Sequence, residues 1–191
     1  MLAVEWKPIT GGEILPPFGD ELQKHISRYK GSVRQASCSA WELLYRMLTD
    51  YGFPISQLAF TPIGKPYFTD ASIYFSLSHS MDLCAAAIAD SPVGVDIEIY
   101  RPAYNPRLVK RCLSETEKQF FDGDFTRLWS RKEAVAKMTG EGLTVSPSYI
   151  ETGAYHFQEQ WIEYQDSKYW LAAVQQDHKG SLTASHFTRF S

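Results

Sequence analysis

The residues best placed to do chemistry in this chain are Asp96, Glu98, Glu133 and Lys137. Asp96 and Glu98 stand two apart in Gly94-Val95-Asp96-Ile97-Glu98, where Val95, Ile97 and Ile99 alternate with them; in a strand, that alternation sends both carboxylates to one face. Glu133 and Lys137 lie four apart in Trp129-Ser130-Arg131-Lys132-Glu133-Ala134-Val135-Ala136-Lys137, and on a helix they share a face one turn apart. Taken singly, an Asp-x-Glu strand reads as the solvated face of an antiparallel sheet, and a Glu–Lys pair as a surface pair worth roughly a few tenths of a kcal/mol. Together they supply three carboxylates with no thiol or imidazole beside them. That set suits a hard cation such as Mg²⁺, which takes oxygen ligands and keeps positions open for water and substrate phosphates. A lysine one turn from such a ligand can meet phosphate oxygens or move a proton, so the implied chemistry is that of phosphates.

Further candidates lie upstream. Gly64 and Pro66 punctuate a turn that fixes Lys65 at a tip, with its ammonium reaching outward. In Phe75-Ser76-Leu77-Ser78-His79-Ser80, Phe75 and Leu77 face one way and Ser76 and Ser78 the other, with His79 where the chain must turn. Ser78 and His79 read either as structural hydrogen-bonders or as a cradle for phosphate oxygens. A Ser-His-Asp hydrolase fits poorly, because no Gly-x-Ser-x-Gly elbow is present. Arg28, Lys30 and Arg34 cluster at a helix junction, as a solvated corner or as a pocket for an anion.

These residues need elements to position them. Leu2 to Trp6 reads as a strand ended by Pro8, followed by turns at Gly11-Gly12 and Pro16-Pro17. Asp20 can cap a short helix through Tyr29, and a longer helix from about Ser32 to Asp50 carries the apolar stripe Val33, Ala36, Ala40, Leu43, Leu44, Met47 and Leu48. Leu83 to Ala89 is a small-residue buried strand. Asn105-Pro106 opens a helix to about Leu113, Ser114-Glu115-Thr116-Glu117 is a capping box for another to Phe121, and Asp124 and Gly140 bracket the helix of Glu133. In that last helix Phe125, Leu128, Trp129, Ala136 and Met138 are the expected buried positions. Alternation at Tyr149–Glu151, Tyr155–Gln158, Gln160–Tyr164, Tyr169–Gln175 and Leu182–Phe187 predicts an antiparallel sheet. Ser80 to Ala87 echoes Ser167 to Val174 in pattern, which suggests two similar α+β halves, 1–91 and 92–191, each an antiparallel sheet packed with helices.

The 191 residues suffice for one or two cores, and a net charge of −3 gives no electrostatic reason for nucleic-acid binding by the whole chain. Cys38, Cys84 and Cys112 are odd in number and far apart, as reduced core thiols of a cytoplasmic protein would be. No apolar run is long enough for a signal peptide or a membrane span.

Four islands thus stand in order: Gly64-Lys65-Pro66, the Phe75–Ser80 run, Gly94-Val95-Asp96-Ile97-Glu98, and Trp129-Ser130-x-Lys132-Glu133-x-x-x-Lys137. In this the chain resembles the 4′-phosphopantetheinyl transferase superfamily, of the monomeric, two-subdomain, surfactin-synthetase-activating kind. The motifs span roughly residues 64 to 143. The resemblance implies transfer of the phosphopantetheine arm of coenzyme A to a serine of an apo acyl or peptidyl carrier protein, with release of 3′,5′-adenosine bisphosphate. It implies Asp96, Glu98 and Glu133 as Mg²⁺ ligands, Lys137 as a phosphate-contacting and catalytic lysine, and Lys65, Ser78 and His79 as coenzyme A contacts, with Arg28, Lys30 and Arg34 as 3′-phosphate ligands. The carrier serine needs a base, and Glu133, directly or through a metal-bound water, or Lys137 could serve. A catalytically silent module that binds carriers or nucleotides and a Mg²⁺-dependent phosphohydrolase are the alternatives. A monomer with one site between its halves, and a carrier-docking surface over Pro106–Phe121 steered by Lys110, Arg111 and Lys118, complete the expectations.

Overall fold

In the computed structural model, which describes residues 1–11, 15–70, 73–142 and 146–177, the chain is an α+β protein in four layers. The elements are β1 (Leu2–Pro8), α1 (Asp20–Ile26), α2 (Gly31–Asp50), β2 (Leu58–Phe60), β3 (Pro66–Phe68), β4 (Tyr74–Ser80), β5 (Leu83–Ala89), β6 (Val93–Ile99), α3 (Pro106–Cys112), α4 (Glu117–Phe120), α5 (Phe125–Thr139), β7 (Gln158–Tyr164) and β8 (Ser167–Gln175). Two antiparallel sheets, ordered β1-β5-β4 and β6-β8-β7, stack face to face, with α2 covering the first and α5 the second; β2 and β3 form a separate small hairpin.

The sequence explains this layering. Every residue of β5 is buried, because one face (Cys84, Ala86, Ile88) meets the α2 core and the other (Leu83, Ala85, Ala87, Ala89) meets Val95, Ile97, Tyr169, Leu171 and Ala173 of the second sheet. Small side chains on both faces let two sheets and a helix approach one strand. In β6 the apolar residues Val95 and Ile97 enter this inter-sheet core, so the alternating Gly94 and Asp96 turn toward α5.

Both sheets share the strand order first–last–penultimate, and each ends in a two-residue hairpin whose leading residue, Met81 (φ 50°) or Gln165 (φ 51°), is left-handed and precedes an aspartate. The topology matches Ala87 to Leu171, three residues from the alignment that the Ser80/Ser167 pattern suggests. The difference matters, since an odd shift flips a strand's faces, and only the topological match puts inter-sheet residues on inter-sheet residues.

The helix-end signals hold at α3, α4 and α5 but not at α1, where Gly19 is the N-cap, Asp20 is the first helical residue and makes no side-chain cap bond, and the helix stops at Ile26, short of Tyr29. Asn105 accepts from Arg107 N, Asp124 accepts from Arg127 N, Gly140 is the left-handed stop of α5, and Ser114 with Glu117 forms a reciprocal capping box. The three cysteines are buried and carry no disulfide. Other expectations are corrected. Val33 is 49% exposed, lying in the first turn of α2, ahead of the residues that meet the sheet. Tyr149–Glu151 and Tyr155 are not strand: 3₁₀ turns occupy Pro147–Tyr149 and Thr152–Ala154, with two carbonyls drawn inward by the Lys132 ammonium. Leu182–Phe187 falls outside the described residues. Among the described residues no helix is long and apolar enough to cross a membrane.

Candidate active site

At Gly94 the backbones of β6 and α5 come into direct contact. A Cβ there would overlap the Ala134 carbonyl oxygen and lie 2.7 Å from Met138 N, so only glycine lets the helix backbone rest on the strand. This contact sets Glu133 and Lys137, on α5, over Asp96 and Glu98, on β6.

Asp96 is 4% exposed and fully engaged. Its Oδ1 accepts from Lys137 Nζ (2.7 Å) and Ser78 Oγ (2.8 Å), and its Oδ2 accepts from Ser130 Oγ (2.8 Å). Lys137 also donates to Ser78 Oγ (2.9 Å) and to the Val95 carbonyl (3.1 Å). Glu98 accepts from Ser80 Oγ at 3.0 Å. Burial and the Asp96 carboxylate raise the Glu98 carboxyl above its ordinary range. Glu133 is pushed up to about 6 by burial, opposed by Lys137 and reinforced by Asp96 and Glu98. Negative charge is thus packed here beyond what one ammonium offsets, as suits a donor set for a hard cation. Among the described residues no three carboxylate, imidazole or thiol side chains converge on a metal-sized point. Asp96 has Lys137 as its cationic partner instead.

Beside this cluster a cavity of about 350 Å³ opens between α1, α2, the β2–β3 hairpin, β4 and the end of α5, lined among others by His25, Tyr29, Lys65, His79, Lys137 and Gly140. Lys65 does not reach outward. It crosses from the β2–β3 turn to the end of α5, donating to the carbonyls of Lys137 and Met138 (3.2 Å to the latter), where an ammonium meets the negative end of a helix. Burial lowers its pKa. His79 is also lowered, by burial and then by Lys137, against the pull of Asp96. His25 stacks on Phe60 with ring centroids 4.5 Å apart and contacts the Tyr29 hydroxyl.

The structure therefore brings Lys65, His79 and Lys137 to the cavity wall, and Lys137 joins that wall to the cluster of Asp96, Glu98 and Glu133, with Ser78 bonded to Asp96. Arg28, Lys30 and Arg34 do not line the cavity; Arg28 and Lys30 are exposed and Arg34 donates to the Ile26 carbonyl at 3.3 Å. Their neighbours Tyr29 and Ser37 do line it. Three residues that the motifs contain take roles here that the sequence does not assign them. Ser130, fully buried, holds Asp96. Ser80 holds Glu98. Lys132, also fully buried, pairs with Glu117 at 2.6 Å and with the carbonyls of Pro147 (3.0 Å) and Ile150, tying α4 and the 147–150 turn to α5. A lysine next to a site glutamate on a helix gives no sign of pointing inward, because the sign lies in the distant partner.

Comparison with known proteins finds relatives of one family. Residues 92–186 match the model of the 4′-phosphopantetheinyl transferase superfamily. The chain is 36% identical over 146 residues to the 4′-phosphopantetheinyl transferase psf-1 of Bacillus pumilus, covering 69% of this chain and 62% of that protein. It is 35% identical over 127 residues to the 4′-phosphopantetheinyl transferase AcpT of Salmonella typhimurium, covering 60% and 64%. With Sfp of Bacillus subtilis it shares 35% over 91 residues, covering 43% and 40%. Residues 92–186 of the chain belong to the 4′-phosphopantetheinyl transferase superfamily. These matches span less than two thirds of each relative's length.

Proposed function

We propose that this chain transfers the 4′-phosphopantetheine arm of coenzyme A to a serine of an apo acyl or peptidyl carrier protein, releasing 3′,5′-adenosine bisphosphate. The observation that carries this reading is the cavity in which Lys65 and His79 of the first half stand beside Lys137 of the second, next to the Asp96, Glu98 and Glu133 carboxylates. Cations and the exposed His79 imidazole suit the phosphates of the nucleotide, and the apolar walls suit its base.

Asp96, Glu98 and Glu133 would hold Mg²⁺, and the raised Glu98 and Glu133 carboxyls fit a set that gains from a cation. Bound there, Mg²⁺ would offset the charge of the pyrophosphate. The chain's own residues do the rest. Glu133 would take the proton of the carrier serine; without a cation, burial pushes its carboxyl up to about 6. The serine oxygen then bonds to the phosphorus bearing the pantetheine, the bond from that phosphorus to the bridging oxygen breaks, and 3′,5′-adenosine bisphosphate leaves with the electron pair. Lys137, already at the cavity edge, moves from Asp96 to the phosphate oxygens as negative charge shifts toward the leaving group. The carrier docks over the α3–α4 region. There Leu108 (44% exposed) and Phe120 (79% exposed) face solvent beside Lys110, Arg111 and Lys118, while Leu113, Val109 and Phe121 are committed to the local core.

The test is incubation of the full chain with Mg²⁺, coenzyme A and an apo carrier, followed by mass spectrometry of the carrier. A gain of one phosphopantetheine arm, requiring the carrier serine, supports the reading. Coenzyme A binding without that gain would instead indicate a silent binding module, and cleavage of coenzyme A without carrier modification a phosphohydrolase.

A further inference from the structure

We infer that Ser76, Ser78 and Ser80 form a hydroxyl seam that stands in for a neighbouring strand along the outer edge of β6, and that through it Ser78 and Ser80 are the positioning residues of the Asp96 and Glu98 carboxylates. β6 is an edge strand, paired with β8 on one side only. Its outward amides at Val95, Ile97 and Ile99 are not left bare, a state that costs dearly in a buried strand. Val95 N donates to Ser76 Oγ (3.0 Å), Ile97 N to Ser78 Oγ (3.3 Å) and Ile99 N to Ser80 Oγ (3.1 Å). The step is constant along β4 because both arrays have the two-residue period of a strand: alternate side chains on one, alternate outward amides on the other.

A hydroxyl has one proton to give and two lone pairs to receive. After accepting an amide, Ser78 donates to Asp96 Oδ1 (2.8 Å) and Ser80 donates to Glu98 Oε2 (3.0 Å). Each carboxylate is thereby tied to the backbone amide that follows it. Ser78 also accepts from Lys137 Nζ (2.9 Å), which exhausts its capacity. That makes it an orienting group for the acid and the lysine together. Ser76 stands opposite Gly94, which has no side chain, so it seals the seam without serving a carboxylate.

This inference rests on the Mg²⁺ reading above, and its test separates the two. Mn²⁺ affinity of the full chain is measured by electron paramagnetic resonance without coenzyme A or carrier, and amide exchange of residues 95, 97 and 99 by NMR. Each serine-to-alanine change should speed exchange of its own amide partner. Ser78→Ala and Ser80→Ala should weaken Mn²⁺ binding about tenfold or more, Ser76→Ala less than about twofold, and Ser80→Thr should restore it. Ser80 is only partly buried, so its variants keep the test open if Ser78→Ala does not fold. Wild-type Mn²⁺ affinity in Ser78→Ala or Ser80→Ala, or an equal loss in Ser76→Ala, would overturn the positioning role alone. A wild-type chain that binds no Mn²⁺ would overturn the Mg²⁺ reading, and this one with it.

Discussion

Burial pushes the Glu133 carboxyl up to about 6, against the pull of Lys137 and with the push of Asp96 and Glu98. A group whose folded pKa lies above its unfolded value weakens the fold where it is ionised; the penalty is full above about 6, eases as pH falls through that value, and is gone below the ordinary 4.5. The proton-accepting residue of the proposed reaction is therefore one the fold holds at a cost. Glu133→Gln is expected to abolish transfer and yet raise stability at pH 7.5 by about 1–2 kcal/mol, a gain that disappears near pH 4. Urea unfolding midpoints at the two pH values check this. A variant no more stable than wild type at pH 7.5 would show that the carboxylate cluster is not strained.

At the scale of elements, α5 is the part that others hold. Gly94 lets its backbone rest on β6, Lys65 caps its C-terminus from the first half, and Lys132 binds it to α4 through Glu117. Gly94→Ala forces the Ala134 carbonyl away from the strand, and overpacking of this kind costs roughly 1–3 kcal/mol. The expected result is a folded, less stable protein whose transfer rate drops by more than about tenfold, because Glu133 and Lys137 shift relative to Asp96; circular dichroism and single-turnover transfer measure the two effects. Glu117 behaves oppositely to Glu133. Burial would raise its carboxyl, but hydrogen bonds from Lys132, the Ser114 amide and Thr152 outweigh it and hold its pKa below the ordinary 4.5. Its stabilisation is fully present above the unfolded value and is lost as pH falls through the lower folded one. Glu117→Gln strands the buried Lys132 ammonium, and a loss of about 3 kcal/mol at pH 7 that shrinks in acid is expected from denaturant titrations.

At the scale of the whole molecule, the two sheets share a topology but not a site. Matching the sheets by their strand registers sets Ala3 where Asp96 stands and Glu5 where Glu98 stands, and Glu5 is already paired with Arg46 at 2.9 Å. One half lacks the acid that the other supplies. We therefore expect a monomer binding one coenzyme A, with halves 1–91 and 92–191 contributing opposite walls. Calorimetry and light scattering read stoichiometry and mass, and two equivalents per chain would refute the single shared site. For the carrier, charge reversal at Lys110 and Arg111 should raise its KM several-fold at low salt and leave coenzyme A affinity unchanged; an unaltered KM would move docking away from α3.

What the sequence determined by itself is local. Alternation set Asp96 and Glu98 on one strand face, helical spacing set Glu133 and Lys137 one turn apart, and Asn105, Asp124, Gly140 and the Ser114–Glu117 box fixed helix ends, because each signal acts within a few residues. Tertiary structure decided the rest. Lys65 turned inward because a helix terminus from the other half offers it carbonyls, and Lys132 could be buried because Glu117 and the turn after Pro147 meet it there. The serines of β4 found their partners on a strand that the sequence places beyond a hairpin, where the unpaired edge of one sheet reaches the face of the other. Such long-range pairings depend on how sheets stack, and no spacing along the chain encodes that directly.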